Sequence, residues 1–266
     1  MVSENYRLIN FLEEYCFSTG EVINILDLLE KKPVFIVGLG GVGSWVVDIL
    51  ARSGIRNFIL VDNDKVELSN LHRQDFFTEN DVGKFKIDCI EKKLQNISKF
   101  INCKKYYKAL DDSFFDDFYD SFCCAINCAD FPNVDKTTQI IGDKCMKENI
   151  PHIVGGGYNL HLSLIGESII PYKSACYQCF SDALEDMNKI TGNLVKLRRS
   201  NRKIGSFTPL CTINASLVAI EAFKILCGFY NRLTNLNQRI EFKIRTMNIE
   251  RKDIRRNPKC RVCGQK

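Results

Sequence analysis

The sequence has no apolar run long enough to cross a membrane, and its opening residues, MVSENYRLIN, lack the basic start and apolar core of a secretion signal. It has no internal repeat and no low-complexity linker, so one compact unit with a nucleotide half and a substrate half is expected. Charge of one sign is scarce: 37 Lys and Arg stand against 32 Asp and Glu, a net charge of +5 over 266 residues. The basic residues are scattered, apart from Lys196–Lys203 and the C-terminus, and no aromatic residues interleave with them to stack bases. Neither a membrane nor a nucleic acid is an expected partner. A cytoplasmic location is expected, and there the 13 cysteines would be mostly reduced.

What the chain does have is Val34–Ser44, VFIVGLGGVGS. An apolar run ends at Gly38, and Gly38, Gly40 and Gly43 stand in the spacing G-x-G-x-x-G. A helix-length apolar segment, Trp45–Ala51, follows. This is the pattern of a buried parallel strand turning tightly into a helix, whose free N–H groups and positive dipole end suit a phosphate. The next apolar run, Phe58–Val61, ends in Asp62, where a carboxylate accepts hydrogen bonds from a ribose. The competing reading of the glycines alone is a tight structural turn.

In chain order, Tyr6–Tyr15 and Glu21–Glu30 read as two amphipathic helices broken at Ser18–Gly20, able to pack on this domain or on a partner subunit. Pro33 opens the first strand, so residues 1–32 form an N-terminal helical segment and 33–266 the main domain. Helix is expected at Lys84–Ile97, Thr137–Glu148 and Thr212–Leu226. Strand is expected at Ile101–Tyr107, Cys123–Asn127, Ile153–Gly157 and Arg239–Asn248, with further strands in Leu162–Ile170. The alternation predicts an α/β fold: a Rossmann-like, mainly parallel sheet flanked by helices, with additional C-terminal strands. Polar Asp182–Ser206 reads as a mobile cover over an active site, or as a plain surface excursion.

Two C-x-x-C knuckles, Cys176/Cys179 and Cys260/Cys263, match the tetrahedral preference of Zn²⁺ and predict a closed, structural site. A redox dithiol or unpaired core cysteines are the alternatives. Most other cysteines fall in apolar runs and read as packing. Arg73 and Lys86, with Asn70 and Gln74 alongside, follow Asp62 where a nucleotide's phosphates would extend; singly, each charge reads first as solvated surface. Asp130 lies just past the carboxyl end of a central strand, where ligands bind in open α/β sheets and where a carboxylate suits Mg²⁺. Its plainer role would be an N-cap.

Together GLGGVGS, VDNDKVELSNLHRQ (Val61–Gln74), DVGKFK (Asp81–Lys86), NCAD (Asn127–Asp130), CYQC and CRVCG resemble the ThiF/MoeB/HesA family, relatives of the ubiquitin-activating enzymes. The resemblance covers roughly residues 33–264. It implies an ATP-dependent adenylyltransferase that activates a carboxylate as an acyl-adenylate and releases pyrophosphate. The substrate is implied to be the C-terminus of a ubiquitin-like carrier protein or a precursor peptide, and the enzyme a homodimer. By motif, the loop containing Gly38, Gly40, Gly41 and Gly43 would cradle phosphate and Asp62 hold the ribose. Asn70, Arg73 and Lys86 would contact the phosphates, and Asp130 coordinate Mg²⁺.

Two departures stand out. The family's N-terminal arginine motif has only Arg7 as a counterpart, in NYRLIN, and no site role is assigned to it. The cysteine that many members carry before the last helix is missing from SNRKIGSFTP (Ser200–Pro209); Cys211, just beyond, is expected to be buried. The segment LIGESIIPYKSACYQCF (Leu164–Phe180) looks like that of the microcin-type, peptide-adenylating branch, although only about thirty residues precede the first strand, too few for a separate leader-peptide clamp. A nicotinamide-dependent oxidoreductase would leave Arg73, Lys86 and Asp130 without roles. A non-catalytic scaffold half of a heterodimer would be expected to have lost some of them.

Overall fold

The structure, a computed structural model, describes residues 5–159, 162–187, 189 and 205–264. The chain opens with helices α1 (Tyr6–Tyr15) and α2 (Thr19–Lys31), the latter capped by the Ser18 hydroxyl, which accepts from the Glu21 N–H. Strand β1 (Pro33–Val37), helix α3 (Gly43–Arg52) and strand β2 (Asn57–Val61) form the first crossover unit. Helix α4 (Lys86–Ile97) and strands β3 (Asn102–Tyr106) and β4 (Cys124–Asn127) follow. Next come α5 (Val134–Glu148), β5 (His152–Val154), β6 (Gly157–Asn159), β7 (Leu162–Ile165) and β8 (Ser168–Ile169). Helices α6 (Tyr177–Met187) and α7 (Thr208–Leu226) and the hairpin β9 (Gln238–Lys243) and β10 (Asn248–Asp253) end the described fold.

Six strands form the main sheet in the order β3-β2-β1-β4-β5-β8, parallel except where β8 runs against β5. The central strands read PVFIV and NFILV without alternation because helices or loops cover both faces. On one face Ile36 and Leu60 share a core with α3, α4 and α7. On the other, Phe35 stacks on Phe122 with centroids 4.9 Å apart and meets Phe114 and Phe118 edge-on, all three supplied by the segment between β3 and β4. The chain leaves β1 toward β2 and β3, then crosses back to β4. The order therefore reverses between β1 and β4, and a crevice opens at their carboxyl ends.

The N-terminal helices pack on this domain: Leu12, Val22, Ile25 and Leu29 belong to the same core as Ile36 and Leu60. Arg232 lies between the Tyr15 and Phe229 rings, 4.3 and 4.7 Å from their centroids, and donates to the Tyr15 carbonyl.

Packing refines four sequence expectations. Leu162–Ile170 divides between two sheets, since β7 joins an antiparallel sheet β10-β9-β7-β6 while β8 joins the main one. Gly166 makes the transition, its missing Cβ leaving space for the Val154 carbonyl. Arg239–Asn248 is a hairpin in which Met247, at φ 56°, turns the chain into β10. Asp182–Met187 continues α6; residues 188 and 190–204, with the basic run Lys196–Lys203, lie outside the described residues. Finally, α7 begins at Thr208 and, at 19 residues, is long and apolar enough to span a membrane by length and composition alone. It is a core helix instead: it packs on α3 and β7 and buries Asn214 and Glu221. The Glu221 carboxylate accepts from Lys224, the Thr234 hydroxyl and N–H, and the Asn235 N–H.

Candidate functional site

The strand–turn–helix at Gly38–Gly43 closes so tightly that side chains are excluded. Gly38 has φ 83°, and a Cβ there would stand 2.5 Å from the Ala129 nitrogen. A Cβ on Gly43 would meet the Gly38 carbonyl. Gly40 differs, because its added Cβ would touch only the Gln74 amide at 3.9 Å. Its bareness keeps the turn open toward a cleft of about 820 Å³ at the carboxyl ends of β1, β2 and β4.

Asp62 fastens this loop to β2. One carboxylate oxygen accepts the Leu39 N–H at 2.6 Å, the other the Asp64 N–H at 2.7 Å. Burial pushes the Asp62 carboxyl above its ordinary range, and neighbouring Lys86 and the two N–H groups pull it partly back. Lys86, at the start of α4, is itself buried, and its ammonium group lies 2.6 Å from Asp64, whose side chain is 64% exposed.

Arg73 sits on a turn held from two helices. The Asn70 amide oxygen accepts the Glu67 N–H at 3.0 Å, and the Asn70 carbonyl accepts from Arg73 and Gln74. The single tryptophan, Trp45 of α3, donates from Nε1 to the Arg73 carbonyl at 3.1 Å. The Ser44 hydroxyl donates to the Gly40 carbonyl and accepts the Asp75 N–H, and the Thr208 hydroxyl of α7 donates to the His72 carbonyl. The Arg73 guanidinium donates to the Ser69 carbonyl at 2.7 Å.

Asp130 is exposed at the other wall. Its loop is fixed by Asn127, whose amide donates to the Thr137 and Thr138 hydroxyls at 3.0 Å each and accepts the Ala129 N–H at 3.1 Å. Asn133, not Asp130, caps α5. The capping role considered for Asp130 is therefore already filled.

All the sequence-nominated nucleotide residues border this one cleft (Gly38, Gly40, Gly41, Asp62, Asn70, Arg73, Lys86 and Asp130) except Gly43, which serves the close approach of α3 to β1. Among the cleft residues that were not singled out as site residues, three bear on its chemistry. Gln74 is buried against Gly40, and its Oε1 has no hydrogen-bond partner among the described residues. Asp64 pairs with Lys86. Cys128 reaches the cleft as well, but burial pushes its thiol up to about 12, a poor state for a nucleophile. All three stand inside the quoted motifs, Asp64 and Gln74 in VDNDKVELSNLHRQ and Cys128 in NCAD. Cys211 is buried as expected.

Away from the cleft, Cys176, Cys179, Cys260 and Cys263 converge, all buried, with their sulfurs within 4.8 Å of one another. Cys176–Cys260 and Cys179–Cys263 are each 3.6 Å apart. Four ligands about 2.3 Å from a tetrahedral centre stand roughly 3.8 Å from each other, so the cluster fits such an ion. The Asn257 N–H donates to the Cys179 sulfur and the Val262 N–H to that of Cys260, as thiolate ligands require.

The chain is 28% identical over 241 residues to the molybdopterin-synthase adenylyltransferase of Escherichia coli K12, covering 90% of each protein. It is 28% identical over 250 residues to the sulfur carrier protein adenylyltransferase of Thermus thermophilus, covering 90% of this chain and 84% of that one. Among solved structures, E. coli MccB with ATP superposes with a TM-score of 0.77 at 29% identity, over 91% of this chain and 70% of MccB. MccB in complex with N-formylated MccA gives 0.78 at 28% identity, with the same coverage. Residues 18–262 match the ThiF family, and the chain belongs to it.

Proposed function

We propose that this protein is an ATP-dependent adenylyltransferase that activates a C-terminal carboxylate as an acyl-adenylate. The observation that carries the reading is the convergence of Asp62, Arg73, Lys86 and Asp130 on one cleft at the topological switch of the sheet. The similarity to adenylyltransferases that act on sulfur carriers, and to MccB, supports the same chemistry. In this reading Asp62 holds the ribose, the glycine loop and the first turn of α3 receive phosphate, and Asn70, Arg73 and Lys86 contact the triphosphate. Asp130 would hold Mg²⁺, which when bound would offset charge on the leaving pyrophosphate.

A substrate carboxylate oxygen attacks the α-phosphorus, the bond to the β-phosphate oxygen breaks, and pyrophosphate leaves. No general base is needed because the carboxylate is already ionised. Lys86 and Arg73 act by position and charge on the phosphoryl oxygens. The substrate is the C-terminus of a ubiquitin-like carrier or of a precursor peptide, the working enzyme a cytoplasmic homodimer, and the cysteine cluster a structural Zn²⁺ site. With Cys211 buried and the Cys128 thiol held protonated, the acyl-adenylate is the last intermediate made on this chain.

Calorimetric titration tests nucleotide choice: ATP·Mg²⁺ is expected to bind and NAD not. Tighter binding of NAD would return the oxidoreductase reading. Absence of substrate-dependent ATP–pyrophosphate exchange with every carrier and peptide tried, despite ATP binding, would favour the scaffold reading.

A further inference from the structure

Helix α5 touches both the cleft and the cysteine cluster. At its N-terminal end Val134 borders the cleft. One turn later the Thr137 and Thr138 hydroxyls receive the Asn127 amide, and Thr137 also donates to the Ala129 carbonyl at 3.0 Å. Those bonds fix the loop that ends in Asp130. Farther along the same helix Gly142 lies under the Tyr177 ring; a Cβ there would fall 2.3 Å from Cδ1 and 2.7 Å from Cε1. An interior glycine weakens a helix, so the contact it permits calls for a reason. Tyr177 stands inside the first knuckle, between Cys176 and Cys179, and its hydroxyl donates to Asp143. Met146 on the next turn packs among the four cysteines, and the Tyr172 hydroxyl donates to its carbonyl at 2.8 Å.

Thr138 and Gly142 are four residues apart, about 6 Å along the axis. The helix is thus clamped by the cysteine cluster on one half and holds the Asp130 loop with the other. We propose that Tyr177, seated on Gly142, is a positioning residue that sets α5 and through it the Asp130 carboxylate. The cysteine cluster then places a cleft residue in addition to tying down the C-terminal segment. The proposal rests on the reading that Asp130 holds the nucleotide's Mg²⁺. It is a chain of direct contacts, so its elements should couple energetically.

The test uses the full chain as purified and reads ATP affinity from Trp45 fluorescence, with and without added Mg²⁺. Gly142→Ala, which pushes the ring off the helix, is expected to weaken ATP binding about tenfold with Mg²⁺ and to leave Mg²⁺-free binding unchanged. Tyr177→Leu carries the same expectation without inserting an atom at the contact, and serves if Gly142→Ala does not fold. Tyr177→Phe keeps the ring and should stay within about twofold of wild type. Adding Thr138→Val to Gly142→Ala should cost less than the two single changes together, because both act on one route. Equal weakening with and without Mg²⁺, or a lowered melting temperature with no change in Mg²⁺-dependent affinity, would overturn the proposal. If wild-type affinity ignores Mg²⁺, the assignment of Asp130 fails, and this inference with it.

Discussion

Lys86 and Asp64 form an asymmetric pair across the floor of the cleft: the ammonium group is buried, the carboxylate 2.6 Å away is 64% exposed. Asp64 can therefore swing into solvent at little cost, and in the proposed function a phosphate takes its place on Lys86. In that function the pair is poised for anion exchange.

Lys86→Met is accordingly expected to slow ATP–pyrophosphate exchange about a hundredfold while the melting temperature changes little. Parallel measurement of exchange rate and thermal unfolding checks both halves. A large drop in melting temperature would mean that the pair is structural.

Among the described residues Asp130 makes no hydrogen bond or ion pair, and it is exposed. Asp130→Ala should abolish Mg²⁺-dependent exchange and leave circular dichroism and melting temperature at wild-type values. Retained exchange would remove Asp130 from the site.

The four buried sulfurs join the start of α6 to the C-terminal turn. About one equivalent of zinc is expected in freshly purified, reduced protein. Cys179→Ser should lower the melting temperature by several degrees. Less than half an equivalent by metal analysis would count against a structural zinc. Cys179→Ser should not alter the preference for ATP over other nucleotides.

His152 gives a pH signature. It is buried, its Nδ1–H donates to the Ile150 carbonyl at 3.1 Å, and Nε2 has no partner among the described residues. Burial pushes its imidazole down to about 4. The unfolded chain, with histidine near 6.5, therefore takes up a proton first as pH falls. The contribution of His152 is complete above pH 6.5 and is lost as pH drops toward 4, up to about 3 kcal/mol. Melting temperature should decline across that window, and His152→Leu should flatten the decline. An unchanged slope would place the acid sensitivity elsewhere.

By itself the sequence determined the parts that depend on local pattern. Uninterrupted apolar runs at Val34–Val37 and Phe58–Val61 require a strand covered on both faces, and the G-x-G-x-x-G spacing requires a tight turn with no room for a Cβ at Gly38 or Gly43. The C-x-x-C pairs likewise mark four possible metal ligands, because ligand type and spacing are written in the chain. Only the tertiary structure decided that Leu162–Ile170 belongs to two sheets, that α1 and α2 cover this domain's own core, and that Asp64 holds Lys86. The Tyr177–Gly142 contact is of the same kind. Each joins residues distant in the chain, chosen by which surfaces exclude water together and which buried polar atoms find partners, and no local periodicity encodes that choice.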